Sequence, residues 1–137
     1  MAGPLGAGRR EARERIVHLL YEADQRGVPV DDVIDAQVLD PDPYTVEVLQ
    51  GVEAERATID ALIDRHSKGW PLERMAHMDR LVLEVGAYEL GHRPDVPTAV
   101  VLNEAVELAN TYGTDDSGRF VNGVLAAVAD ALRPTDG

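Results

Sequence analysis

The sequence predicts an all-α fold, a compact bundle of about seven helices, and three observations carry that prediction. Apolar residues recur at helical spacing, most plainly at Val101, Leu102, Ala105, Leu108, Ala109 and Tyr112. Strand signals are missing: nothing alternates apolar with polar for long, and no Asn-Gly or Asp-Gly joins two β-branched runs. Gly27, Asp40-Pro41-Asp42-Pro43, Gly69-Trp70-Pro71 and Gly113 punctuate the chain where helices stop or start. There is no repeat of fixed period.

Residues 1–8 are rich in glycine and alanine and read as a disordered tail. A first helix is predicted over 9–25, stopping at Gly27, with Ala12, Ile16, Leu19, Leu20 and Ala23 as its buried stripe. Arg10, Arg13, Val17 and Tyr21 trace the neighbouring flank, beside that stripe and not within it. The flank is either a solvated face with Tyr21 half buried or a binding surface. A short helix over 28–39 follows, and Pro43 suits the start of a third helix that reaches His66. Leu49, Val52, Ile59 and Ile63 point inward there, with Arg56 intruding on their stripe. Trp70, the only tryptophan, is expected to anchor its turn against the core.

Residues 71–75 make one helical turn. The helix over 78–91 should be the most buried, since Met78, Leu81, Val82, Leu83, Val85, Tyr88 and Leu90 leave little polar surface. Glu89 falls inside that apolar arc, so it has to be paired or protonated. Arg56, a helix start or a water are its candidate partners, and its role is structural. Pro97 suits the first turn of the next helix, which carries Asn103, Glu104, Glu107 and Asn110 on its outer side. Gly113 can end that helix in the left-handed conformation. Thr114, Asp115 and Asp116 offer oxygens to cap a last helix that turns Val121, Val124, Leu125, Val128 and Leu132 inward. The expected domain spans 9–132, with 133–137 as a second tail.

At 137 residues with no cysteine, the chain is one domain with neither disulfides nor thiol catalysis. No signal peptide and no membrane-spanning run is present, which makes a cytoplasmic protein the plain expectation. A net charge of −12 argues against a general nucleic-acid binder. The arginines are not evenly spread, however: Arg9, Arg10, Arg13 and Arg15 face only Glu11 and Glu14 in the first fifteen residues. A basic tip on an acidic body can meet RNA locally, and the body suits a basic protein partner.

Catalytic chemistry has little material. Phosphate-cradling glycine loops, HExxH and nucleophile-elbow patterns are absent, and His18, His66, His77 and His92 share no ligand spacing. No cofactor, metal or enzymatic activity is expected. Binding has more. Asp115-Asp116-Ser117-Gly118-Arg119-Phe120 places a guanidinium, a ring and free N–H groups at one helix start, the features that hold phosphate and stack unpaired bases. Phe120 sits at the rim of its helix's apolar arc, so it is either a stacking platform or a core residue. Asn122 and Gly123 lie away from that arc, as polar anchoring or close backbone approach would have it.

The segments MDRLVLEVGAYEL, NEAVELA and DDSGRFVNGVL, behind an arginine-bearing first helix, resemble the NusB family of bacterial transcription antitermination factors. The likeness covers nearly the whole chain, from about residue 9 to residue 132. It implies two packed helical subdomains. It also implies binding of the boxA element of nascent ribosomal RNA operon transcripts, as single-stranded RNA. A small ribosomal-subunit protein, NusE, would share that task, and the resulting antitermination complex would let RNA polymerase pass terminators. Carried onto this sequence, the RNA-facing residues are Arg9, Arg10, Arg13, Tyr21, Asp116, Arg119 and Phe120. A homodimer is compatible with the resemblance. The alternatives are a helical protein-interaction module and the accessory RNA-binding domain of an rRNA-modifying system.

Overall fold

The computed structural model describes residues 9–134, so the expected tail over residues 1–8, and residues 135–137 of the second, lie outside the described residues. Among the described residues there are six α-helices: α1 (Arg10–Arg26), α2 (Val30–Asp35), α3 (Pro43–His66), α4 (His77–His92), α5 (Thr98–Tyr112) and α6 (Ser117–Leu132). The predicted turn over 71–75 is a 3-10 turn, Leu72–Arg74, and α2 is shorter than its pattern suggested. The α-helices therefore number six where about seven were expected.

The most apolar helix lies at the centre. α4 packs against α1, α3, α5 and α6, while α1, α2 and α3 also touch one another. Ten consecutive residues from Leu81 to Leu90 are buried, which an all-round apolar helix requires. Each fully buried Leu or Ile side chain in this core, such as Ile16, Leu49, Ile63, Leu81 and Leu125, stabilises the fold by about 1.5–3 kcal/mol. At Gly86 the α4 backbone approaches α6 so closely that an added Cβ would sit 2.6 Å from Leu125.

The helix ends follow local chemistry. Gly27 takes the left-handed conformation, φ 66°, and its N–H donates to Ala23 O. Asp42 caps α3 by accepting from the Thr45 N–H at 2.9 Å, with Pro43 in the first turn. Gly113 behaves differently from expectation. Its backbone is extended, φ −112° and ψ −157°, and glycine is required there for space. A Cβ would collide with the Ser117 side chain and come within 2.8 Å of Ala109 O.

Three more expectations change on packing. Trp70 does not anchor against the core but stands 48% exposed. Leu132, expected inward, is an exposed residue at the end of α6. Glu104, expected on the outer side of α5, is buried against α1.

Arg56 does not meet Glu89. Its guanidinium spans Asp24 (2.8 Å, two bonds) and Glu84 (2.9 and 3.0 Å), and Arg80 holds Asp60 beside them at 2.8 Å. Glu84 is fully buried. Burial above all, then its hydrogen bond with Asp60, pushes its carboxyl up to about 8 against the pull of Arg56. The folded protein thus retains a proton that the unfolded chain releases above about 4.5. Stability from this group is present in full below that value and is lost as pH rises through about 8. Thermal melts across this window should show wild type losing ground to Glu84→Gln as pH rises. Parallel pH profiles for the two proteins would show that Glu84 does not titrate there.

Candidate nucleic-acid interface

The seven expected RNA-facing residues do not form one patch. Arg13 leaves it altogether. Its side chain is 1% exposed, and Nε and Nη2 donate to the Glu89 carboxylate at 2.8–3.1 Å. The Tyr44 hydroxyl donates to the same carboxylate. The buried arc of α1 is wider than its stripe suggested, because Val17 and Arg13 are buried along with the expected five residues. Burial works against the Arg13 charge, but the bonds to Glu89 outweigh it and raise its pKa. The same ion pair settles Glu89 as a paired structural group, with Arg13 and Tyr44 as its partners.

Arg9 is also engaged. Its guanidinium lies 4.1 Å from the Tyr44 ring centroid and 3.9 Å from Asp95, with Arg93 on the same ring at 4.9 Å. Arg10 is held by Glu104 through Nε (3.1 Å) and Nη2 (2.8 Å), yet its side chain remains 56% exposed. The Glu104 bonds raise the Arg10 pKa, so the charge is permanent.

The start of α6 separates two open clefts. On one side a polar groove of about 690 Å³ is lined by Arg10, Asn103, Glu107, Asn110, Arg119 and Asn122, among others. Arg119 is exposed and has no ion-pair partner among the described residues. On the other side a cleft of about 440 Å³ is lined by Asp116, Phe120, Trp70, Arg74, Asp79 and Ser117, among others. Phe120 is half buried, its ring packed against the core on one side and forming cleft wall on the other. Asp116 occupies the N-cap position of α6 without a side-chain cap bond. The turn is held by Ser117 instead, whose Oγ accepts from the Thr114 N–H at 2.9 Å and donates to Asp79 Oδ2 at 3.0 Å. Tyr21 is 39% exposed and lines neither cleft; it packs against His77 at the start of α4, ring centroids 4.9 Å apart.

The structure thus brings Arg10 and Arg119 to one groove, and Asp116 and Phe120 to the adjoining cleft. Glu104 and Trp70 lie here against expectation, which put Glu104 on an outer face and Trp70 in the core, and Arg74 carried no signal in the sequence. Glu104 carried no signal because its partner is ninety-four positions away. For Trp70 the signal was its flanking turn residues, which present the ring outward.

Six α-helices with α4 at their centre, and open clefts flanking one helix start, make an all-α bundle suited to binding along its surface. The chain belongs to the NusB family, whose family model matches residues 10–130. It is similar to the transcription antitermination protein NusB of Saccharopolyspora erythraea, 48% identical over 136 residues, 93% of this chain and 92% of that one. The NusB of Kineococcus radiotolerans is 44% identical over 128 residues, covering 90% and 94%. Among solved structures, T. maritima NusB superposes with a TM-score of 0.84 at 32% identity, covering 99% of this chain and 97% of that one. A NusB in the complex of antitermination factors NusB and NusE with dsRNA gives 0.73 at 25% identity, covering 90% and 96%.

Proposed function

We propose that this chain is a transcription antitermination factor that binds boxA-type RNA together with the small ribosomal-subunit protein NusE. Joined to RNA polymerase on ribosomal RNA operons, that assembly carries transcription past terminators. The observation that supports it most is the first turn of α6, where an unpaired guanidinium, Arg119, adjoins a half-exposed ring, Phe120. Arg10 faces Arg119 across the groove, so two cations meet one backbone. The net charge of −12 limits RNA contact to this end and suits a basic ribosomal protein as co-binder. The NusB–NusE–dsRNA complex of a relative supports the same partnership. The protein works by binding, in the cytoplasm, and not as an enzyme.

Titrating a boxA RNA and a scrambled control, with and without the ribosomal protein, tests this function. Specific binding strengthened by the partner is expected, and equal affinity for both RNAs would sink it. Phe120→Ala should weaken RNA binding by about 1–3 kcal/mol as a lost stacking platform. Its folding cost should fall below the roughly 3–5 kcal/mol of a fully buried phenylalanine. Arg10→Ala with Arg119→Ala should lower the slope of log K against log salt by about 0.7 per lost phosphate contact. Arg13 is no part of that test.

A further inference from the structure

Trp70 and Arg74 stand outside the fold's interior, and neither lines the groove shared by Arg10 and Arg119. Tryptophan is normally highly buried, and this one, the only one in the chain, stands 48% exposed. Its backbone is fixed: the Trp70 N–H donates to Ser67 O at 2.9 Å, and Ser67 Oγ donates to Trp70 O at 3.0 Å. Gly69 at φ 74° turns the chain just before it. The indole is therefore presented outward by a held turn.

Across the cleft from this turn stands Phe120, and Arg74 on the same rim is exposed without an ion-pair partner among the described residues. At the cleft Asp79 is held by Ser117 through Oδ2, while its Oδ1 is buried with no hydrogen-bond partner. Two ring walls and one free cation are the elements that receive an unpaired base: faces to stack on and a charge for its phosphate. Asp116 on the rim offers an acceptor to a base amine or a sugar hydroxyl, and its charge repels phosphate.

We propose that the cleft between Trp70 and Phe120 is a nucleobase subsite, in which Trp70 stacks on a base of single-stranded RNA and Arg74 holds its phosphate. The subsite rests on the RNA-binding function above. It extends the RNA path beyond α6 to the turn before α4, toward Tyr21 and His77.

As the only tryptophan, Trp70 reports on its own subsite. Titrating the boxA oligonucleotide should quench its fluorescence, with the midpoint seen by anisotropy of the labelled RNA. Trp70→Ala should weaken binding roughly tenfold or more, the loss of one base–aromatic stack. Trp70→Phe should keep part of that affinity. Arg74→Ala, on an exposed side chain that leaves folding intact, should lower the salt slope by about 0.7. If RNA binds by anisotropy while Trp70 emission and the variants' affinities stay unchanged, the subsite is overturned and the RNA-binding function stands. Quenching by the ribosomal protein alone, with RNA affinity indifferent to Trp70, assigns the cleft to protein and overturns the subsite too. Absence of RNA binding in both readouts removes the function itself, and the subsite with it.

Discussion

Arg13→Ala is expected to destabilise the folded chain by about 3–5 kcal/mol, the cost of removing one partner from a buried ion pair. Glu89 is 1% exposed and would be left with the Tyr44 hydroxyl as its sole side-chain donor. A carboxylate in that position keeps its desolvation penalty and loses its counter-charge. For a domain of this size the melting temperature should drop by roughly 10–20 °C. Thermal and urea unfolding measure it directly. RNA affinity, taken well below the melting temperature, should match wild type. A fully stable Arg13→Ala that has lost RNA binding would return Arg13 to the interface.

Arg133→Ala is the second large effect, at about 2–4 kcal/mol, because charge-assisted hydrogen bonds contribute roughly 1.5–3 kcal/mol each and overlap when shared. Its guanidinium donates to Leu90 O (3.1 Å), Val96 O (2.9 Å), Arg93 O (3.0 Å), Glu89 O (3.3 Å) and Thr98 Oγ1 (2.9 Å). Three of these, on Glu89, Leu90 and Arg93, are carbonyls in or just beyond the last turn of α4. One side chain therefore ties α6 to the α4–α5 turn. Although spacing put residue 133 in a tail, it belongs to the fold. Two shortened chains separate the cases: ending at Arg133 should leave the melting temperature unchanged, and ending at Leu132 should lower it. Equal melting temperatures would show that the five bonds contribute nothing net.

The helices were legible because a 3.6-residue period and the stop residues between periods are local properties. Pro43, Gly27 and the apolar run from Leu81 to Leu90 each report their own backbone state without reference to a partner. The first turn of α6 was legible for the same reason, since Arg119 and Phe120 are adjacent in sequence and protrude from one helix start. Family resemblance added the RNA-facing set but not the environment of each member.

By itself the sequence determined an all-α bundle, a buried Glu89, an intruding Arg56 and a polar turn before α6 that carries Arg119 and Phe120 just beyond it. Only the tertiary structure decided where the charges went. Arg10 and Arg13 are three residues apart on one helix, yet one reaches Glu104 at the surface and the other Glu89 in the core, ninety-four and seventy-six positions away. A helical period says which residues share a face, and no local property says which distant carboxylate that face will meet. Trp70 is the converse: its residue type argued for burial, and the fixed Ser67–Trp70 turn left the ring 48% exposed. Ion pairs and exposed rings are settled by packing between segments, which is the information a single sequence does not carry.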